Sequence, residues 1–214
     1  MVEGKHMTGV ILAGGEGKRL GRDKTAIVID RELLIETILS KLKESFEEIL
    51  LITSKKKLKN YTSRFSHLNV KIYADIFDGK GSVAGVHSGL YHSSNYHSFF
   101  VGCDMPFLNP SLIEYFKQIT EGNDVVVAQC ASGFEPLHAV YSKKCMSYLE
   151  KLIQSNNLRI YDFYDEVKLR IVREDEIEKH GPQKLCFFNI NTEEALHEAI
   201  KLQKSLSNRE HYAI

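Results

Sequence analysis

The sequence predicts an α/β protein, a three-layer α/β/α Rossmann-like domain with a mainly parallel sheet. Short apolar runs alternate with amphipathic helical patterns over the first 75 residues or so, which is typical of strand–helix–strand units. The predicted strands end in glycines, cations or aspartates, and open parallel sheets bind ligands at that edge. The length of 214 residues suits one such domain or two small ones. We predict a single domain over residues 8–204, with residues 1–7 outside the fold and 205–214 as a polar tail.

The first half of the chain carries the clearest alternation of elements. Apolar runs that suit buried strands occupy residues 10–13, 48–53 and 70–75. Residues 32–46 predict a helix, because apolar side chains recur at every fourth position. Residues 26–29 are predicted to be extended, and the lysine-rich residues 54–60 form an exposed turn into a short helix.

The second half continues with more strands and helices. Further strands are predicted at residues 96–104, 124–130, 135–141 and 168–173. Helices are predicted at residues 82–94, 110–119, 142–155 and 156–167. Asn109 and Pro110 supply an N-cap and a first-turn proline for one of them. Thr192 begins the cap of a final helix with apolar positions up to residue 202.

One strand opens into glycines and cations, in the stretch TGVILAGGEGKRLGRDK of residues 8–24. Glycine lets the backbone approach a phosphate and turn its N–H groups toward it, while Arg and Lys add charge. The residues concerned are Gly14, Gly15, Gly17, Gly21, Lys18, Arg19, Arg22 and Lys24. We predict that this stretch binds phosphate; a solvated glycine-rich turn is the alternative.

Two common phosphate-binding motifs do not fit this stretch. A P-loop needs Ser or Thr after its Gly-Lys pair, and Arg19 follows Gly17 and Lys18 instead. A dinucleotide fingerprint needs G-x-G-x-x-G, and Gly21 comes one residue late. The loop is therefore of another type.

Two aspartates follow predicted strands at the same edge of the sheet. Asp75 precedes the glycine-rich stretch DGKGSVAG, so it faces the same crevice as Gly14 and Lys24. Asp104 lies where the sequence MP stops the fourth strand. A carboxylate there suits Mg²⁺, which prefers oxygen ligands and substrate phosphates. For each aspartate the alternative is a cap of a turn or helix.

Three polar side chains in the second half are further candidates. His138 is a lone histidine on an apolar strand, where a core histidine with satisfied hydrogen bonds is favoured over a catalytic one. Asn189 and Asn191 are two residues apart in FFNINTEEAL, hence on one face if the segment is extended. Their alternative role is to hold a turn and a helix cap.

Bulk composition excludes several classes of partner. Lys plus Arg is 28 and Asp plus Glu is 28, and no basic stripe indicates nucleic acid. No apolar run approaches the about 18 to 20 residues of a membrane helix, and we expect no signal peptide. The cysteines lack metal-ligand spacing and predict reduced, buried thiols in a cytoplasmic protein. They are Cys103, Cys130, Cys145 and Cys186.

Several motifs together resemble a known family. LAGGEGKRLGRDK resembles the nucleotidyltransferase signature L-A-G-G-x-S-x-R-M-G-x-x-K, departing at Gly17 and Leu20, and its Gly-Gly form is most similar to the molybdenum cofactor guanylyltransferase family. CDMP, EPLHAVY and FFNINTEEAL are similar to the family's C-D-x-P, x-P-L-x-A-x-Y and F-x-N-I-N-T-x-E-x-L. Ser82 and Val83 replace a usual Pro-Leu. The resemblance covers nearly the whole chain.

This resemblance implies a fold of the nucleotide-diphospho-sugar transferase type and transfer of GMP from GTP to molybdenum-molybdopterin, with Mg²⁺ as cofactor. The implied nucleotide-binding residues are Leu12, Ala13, Gly14, Gly15, Gly17, Lys24, Asp75 and Asp104. The implied catalytic residues are Lys24, Arg19 and Asp104, of which Asp104 would bind the metal. Asn189 and Asn191 would face the pterin. A family Asn after the second strand has no match, because Ser54 and Lys55 occupy that region.

Partners implied by the resemblance are the two substrates, proteins that deliver molybdopterin and apoenzymes that receive the product. A cytidylyltransferase for the same cofactor and a sugar-1-phosphate nucleotidyltransferase are alternatives within the same chemistry. The cytidylyl relatives usually read L-A-A-G, so Gly14 favours guanine, and sugar enzymes are generally longer. A nucleotide-binding module without turnover is the alternative from another class, against which Lys24 and Asp104 argue.

Overall fold

A seven-stranded sheet lies at the centre of the computed structural model, which describes residues 6–15, 24–29 and 32–211 and only the backbone of 183, 184 and 207–211. The strands are β1 (Met7–Leu12), β2 (Val28–Ile29), β3 (Glu32–Leu33), β4 (Glu48–Thr53), β5 (Lys71–Ala74), β6 (His97–Gly102), β7 (Val125–Cys130), β8 (Gly133–Ser142) and β9 (Leu169–Val172). The sheet order is β5-β4-β1-β6-β8-β7-β9, and β2 and β3 form a separate pair.

Only one strand of the large sheet runs against the others. β8 is antiparallel to both of its neighbours, β6 and β7, whereas the other pairs are parallel. A connection of two residues joins β7 to β8, and so short a link permits only an antiparallel hairpin. The predicted mainly parallel sheet is confirmed.

Helices cover both faces of this sheet. They are α1 (Leu34–Ser45), α2 (Lys55–Arg64), α3 (Gly81–His92), α4 (Pro110–Gln118), α5 (Met146–Gln154), α6 (Glu174–Ile177), α7 (Gln183–Cys186) and α8 (Glu193–His211). Within the described ranges, none of these helices has the length and apolar character needed to cross a membrane. Because helices lie on both faces of the sheet, the predicted three-layer arrangement is confirmed.

Alternation along the strands separates two hydrophobic cores. On β1, Ile11 packs with α1 and α4, whereas its neighbour Val10 packs on the other face with α3 and α5. Both side chains are fully buried. Successive strand residues point to opposite faces, so a shift of one residue would move every side chain of a strand to the wrong core. The buried side chains therefore fix the register of the sheet. This register aligns the carboxyl ends of β1, β4, β5 and β6.

Several predicted boundaries differ from the observed ones. Met7 is buried and begins β1, although residues 1–7 were expected outside the fold; residues 1–5 lie outside the described part. α8 continues to His211 rather than ending near residue 204, because Leu206 still packs against the core. Residues 160–166 form a 3-10 helix rather than an α-helix, after a left-handed residue at Asn156 (φ 55°). α6 and α7 were not predicted, since four residues are too few to show periodicity.

No disulfide joins the four cysteines, all of which lie in described ranges. Cys103, Cys145 and Cys186 are buried, as predicted, and Cys130 is half-buried. Burial raises the pKa of Cys145 to about 12 and that of Cys186 to about 11. Thiols with such pKa values are unreactive near neutral pH, which suits a structural role.

Candidate active site

A cleft of about 760 Å³ lies at the carboxyl ends of β1, β4, β5 and β6. It is lined by Leu12, Ala13, Gly14, Gly15, Lys24, Ile52, Ser54, Lys56, Lys57, Asp75, Asp78, Gly79, Gly81, Ser82, Gly85, Gly102, Cys103, Asp104, Leu137 and Asn191. The volume lies in the range of small-molecule sites. Its position is the one at which open α/β sheets bind ligands.

The end of β1 forms the floor of this cleft. The carbonyl of Leu12 accepts a hydrogen bond from Cys103 N (3.1 Å), and Ala13 N donates to Ile52 O (2.8 Å), so the neighbouring strands hold both residues. A Cβ at Gly14 would lie 3.1 Å from Asp75 Oδ2, so glycine lets the backbone pass close to that carboxylate. The backbone N–H groups of Gly14 and Gly15 donate to no other residue in the described ranges.

Lys24 connects two distant parts of the chain across the cleft. Its Nζ donates to Asp104 Oδ2 at 2.6 Å and to Asn191 Oδ1 at 2.6 Å. The side chains of Lys24 and Asp104 are each 18% exposed, so solvent screens the pair only in part. The backbone is tied as well, since Ile190 N donates to Asp104 O at 2.9 Å. The predicted phosphate-binding lysine and metal-binding aspartate therefore lie in direct contact.

Asp75 lies across the cleft in a very different setting. The residue is 8% exposed, and its buried Oδ1 has no hydrogen-bond partner among the described residues. Burial, with a smaller effect of the Asp78 carboxylate, raises the pKa of Asp75 to about 7. A helix- or turn-capping carboxylate would accept N–H groups, and the buried Oδ1 accepts none from the described residues, so this environment favours a site residue over a cap.

The loop after Asp75 is shaped by glycine and fixed by α3. Gly79 and Gly81 have φ values of 73° and 61°, which favour glycine over residues with a Cβ. Ile76 N donates to the buried Ser88 Oγ at 2.9 Å. This bond anchors the backbone beside Asp75 and keeps the start of α3 against the cleft.

The two predicted pterin-facing amides are not equivalent. Asn191 lines the cleft and accepts from Lys24, whereas Asn189 Nδ2 donates to Phe187 O (2.9 Å) and is not among the lining residues. The segment is irregular between α7 and α8, so the shared face expected for an extended chain does not form. Thr192 Oγ1 accepts from Ala195 N (3.2 Å), which confirms the predicted cap.

His138 is a core residue, as predicted, but without the expected hydrogen bonds. It is fully buried, and neither ring nitrogen has a partner among the described residues. The rings of Phe99, Phe116 and Phe187 pack edge-on at centroid distances of 5.1, 5.7 and 4.9 Å. Burial lowers the pKa of His138 to about 3, so the imidazole stays neutral. It does not line the cleft.

Five residues of the predicted phosphate-binding stretch lie outside the described residues, namely Gly17, Lys18, Arg19, Gly21 and Arg22. The stretch predicted as an exposed turn into a short helix also contributes to the cleft, which is lined by Lys56 and Lys57. Lys57 Nζ donates to Gly15 O at 3.0 Å and so steadies the described end of the glycine stretch. The available signal was their place directly after the carboxyl end of β4.

Asp104 is a carboxylate of this cleft that could hold a metal ion. The described residues contain no group of three His, Cys, Asp or Glu side chains that could hold a metal by themselves. Mg²⁺ needs no such group, because it is commonly held by one or two carboxylates together with substrate phosphates and water. The oxygen donors of this cleft therefore fit Mg²⁺ once a phosphate ligand is present.

Sheet, cleft and charged pair together are those of a nucleotidyltransferase with the nucleotide-diphospho-sugar transferase type of fold. The family model for the MobA-like NTP transferase domain matches residues 9–169, and the chain belongs to this family.

Relatives and solved structures agree with this assignment. A probable molybdenum cofactor guanylyltransferase of Pelotomaculum thermopropionicum is 32% identical over 86% of this chain and 87% of its own length. The molybdenum cofactor guanylyltransferase of Desulfosudis oleivorans is 31% identical over 90% of this chain and 94% of its own. The crystal structure of molybdopterin-guanine dinucleotide biosynthesis protein A from Archaeoglobus fulgidus superposes with a TM-score of 0.83 and 26% identity, covering 93% of this chain and 100% of that one.

Proposed function

We propose that this enzyme transfers GMP from GTP to the phosphate of molybdenum-molybdopterin, with release of pyrophosphate and formation of molybdopterin guanine dinucleotide. The observation that carries the proposal is the contact of Lys24 with Asp104, 80 residues apart in the chain, in a cleft floored by glycine. The substrates are those that the names of the relatives imply.

The triphosphate is expected along the end of β1. Leu12, Ala13, Gly14 and Gly15 would border the nucleotide, with the N–H groups of the two glycines as donors to phosphate oxygens. Lys24 would supply positive charge to the phosphates together with Arg19, and Gly17 would add a backbone N–H group; Arg19 and Gly17 belong to the part of the chain outside the described residues. Asp75 would accept N–H or O–H groups of the nucleoside, which its orphaned oxygen supports.

The reaction is an in-line substitution at the α-phosphorus of GTP. An oxygen of the acceptor phosphate forms the new P–O bond, the bond to the bridging oxygen breaks, and pyrophosphate leaves with the electron pair. A phosphate monoester is largely a dianion near neutral pH, so no strong base has to remove a proton. Positioning of the two phosphates and the charge of Lys24 provide the main catalytic terms.

Asp104 is the residue that would hold Mg²⁺. When bound, the ion neutralises phosphate charge as a Lewis acid. Asp104 and Lys24 share a contact in this structure, so the ammonium has to shift or share the carboxylate as the site fills.

Asn191, and Asn189 after a rearrangement of its side chain, would face the pterin. The four cysteines without disulfides support a cytoplasmic location, where delivery proteins and acceptor apoenzymes would act.

The test is a transfer assay with purified protein, α-labelled GTP, Mg²⁺ and molybdenum-molybdopterin. We expect the label in a pterin dinucleotide, with one pyrophosphate released for each label transferred. ATP and CTP serve as matched controls. Transfer from CTP in preference to GTP would identify a cytidylyltransferase, and GTP binding without any product would identify a binding module.

A further inference from the structure

The ammonium of Lys24 is held at two points in the cleft. Asp104 Oδ2 and Asn191 Oδ1 both accept from Nζ at 2.6 Å. These are short, charge-assisted hydrogen bonds, which are about twice as strong as neutral ones. A lysine side chain is otherwise flexible, so two acceptors restrict where its charge lies.

The orientation of the Asn191 amide follows from hydrogen-bond chemistry. An ammonium group is only a donor, so it requires the oxygen and not the nitrogen of the amide. The NH₂ group of Asn191 consequently points away from Lys24. The amide is neutral, so it holds the ammonium without cancelling its charge. A second carboxylate at this place would neutralise the charge that a phosphate needs.

Asn191 is itself presented by a well-anchored piece of backbone. Its neighbour Ile190 is fully buried and donates its N–H to Asp104 O at 2.9 Å. On the other side, Thr192 caps α8. The backbone beside Asn191 is thus tied to that of Asp104, and Lys24 is held between the side chains of these two joined segments. Asn189 has no such role, because its amide bonds to Phe187 O.

We propose that Asn191 is a positioning residue of the nucleotide site. It holds the Lys24 ammonium beside Asp104, so that the ammonium is already in position when the triphosphate binds. This inference rests on the proposed function and extends it, because Asn191 was predicted only as a pterin-facing residue. It also connects the two substrates: the segment next to the pterin fixes the cation that binds the nucleotide. Preorganised charge of this kind lowers the cost of binding.

The test is a double-mutant cycle on the affinity for GTP with Mg²⁺, measured by calorimetry without the pterin. Lys24→Ala is expected to weaken binding by roughly 100-fold, and Asn191→Ala by roughly tenfold, as for loss of a hydrogen bond to a charged group. The double variant should bind like Lys24→Ala alone, because Asn191 acts through Lys24. Asn60→Ala, at an exposed position of α2 that does not line the cleft, is the matched control and should keep the GTP affinity of the wild type.

A second readout is direct. In protein labelled with ¹⁵N-lysine, the Nζ signal of Lys24 should be sharp and protected from exchange, and should broaden in Asn191→Ala. If the alanine variant does not fold, Asn191→Ser provides the same comparison, since its shorter hydroxyl does not reach the position of Oδ1.

Each remaining outcome overturns a defined claim. Unchanged GTP affinity in folded Asn191→Ala, or additive losses in the double variant, would refute the positioning role and leave the proposed function intact. Unchanged affinity in Lys24→Ala would refute both, because the nucleotide site itself would then lie elsewhere.

Discussion

Two carboxylates at the same edge of the sheet, Asp104 and Asp75, have opposite surroundings. Asp104 follows β6 and accepts a charged hydrogen bond from Lys24 at 2.6 Å. Asp75 follows β5, is 8% exposed, and keeps one oxygen without a partner among the described residues. The first carboxylate is stabilised by its ion pair with Lys24. The second has a pKa raised to about 7 by burial and by Asp78, so its ionised form costs folding free energy.

The difference between these surroundings indicates that the two carboxylates have different roles in the cleft. A carboxylate that is already paired with a cation is ready to join a site of phosphates and metal, where charges of both signs meet. A buried carboxylate without a partner instead gains its hydrogen bonds only when a ligand arrives. Burial of an ionisable side chain without a partner destabilises the folded protein. Such burial is typical of residues that serve function rather than stability.

Removal of the cation should have the largest effect. Lys24→Ala is expected to lower the rate of GMP transfer by roughly 100-fold or more, because a charge at the reacting phosphates is lost. Steady-state assays with saturating GTP measure this. Lys57→Ala is the control from the same cleft, with a smaller expected loss. An unchanged rate in Lys24→Ala would remove Lys24 from the site.

The carboxylate of Asp104 is the next target. Asp104→Asn keeps the size of the side chain and should raise the Mg²⁺ concentration for half-maximal activity by roughly 10- to 100-fold, since a neutral amide is a weaker ligand. A magnesium titration of activity, accompanied by thermal unfolding, separates the two explanations. A lower melting temperature with an unchanged magnesium requirement would make Asp104 a structural cap.

Asp75 should show its effect in the pH dependence of stability. Its folded-state pKa is about 7 and its unfolded value is 3.8, so the folded state binds more protons between these values. The free energy of unfolding therefore falls as pH rises from about 4 to 7, by at most roughly 4 kcal/mol. Asp75→Asn should remove this slope, stabilise the protein at pH 8 and weaken GTP binding.

Urea unfolding of both proteins at pH 5 and pH 8 measures the difference. Equal stability changes with pH in wild type and Asp75→Asn would show that Asp75 is ionised at low cost. A variant that is less stable at pH 8 would show that the carboxylate has structural partners.

The smallest effect is expected in the core, at His138, which is one of several residues with a buried polar atom that has no hydrogen-bond partner among the described residues. His138→Leu removes two buried nitrogens without hydrogen bonds and should raise the free energy of unfolding by about 1 kcal/mol at pH 7. The gain should increase toward pH 5, because the unfolded histidine binds a proton there and the folded one, with a pKa of about 3, does not. His87→Leu is the control, since His87 Nε2 is bonded to Glu150 (3.0 Å) and should not gain. Destabilisation by His138→Leu would point to a bound water at the imidazole.

The sequence was informative at positions where the residue type has a single physical explanation. Glycine at the end of an apolar strand and aspartate before a proline stop located the cleft, because strand ends share an edge. The contact between Lys24 and Asn191 spans 167 residues, and no spacing encodes it. Lys56 and Lys57 resembled a solvated helix face, since composition does not reveal which side of a helix start borders a cleft. β8 runs antiparallel because a two-residue hairpin joins it to β7. The predicted strands ended at residue 130 and began at residue 135, so this short connection was not evident from the sequence.

The most direct test is a calorimetric titration of the wild type and Asp104→Asn with GTP, CTP and ATP, each with Mg²⁺. We predict that GTP binds the wild type most tightly and that this preference weakens in the variant or without the metal. Tighter binding of CTP would contradict the guanylyl assignment. Binding of no triphosphate at all would contradict the placement of the nucleotide at the end of β1.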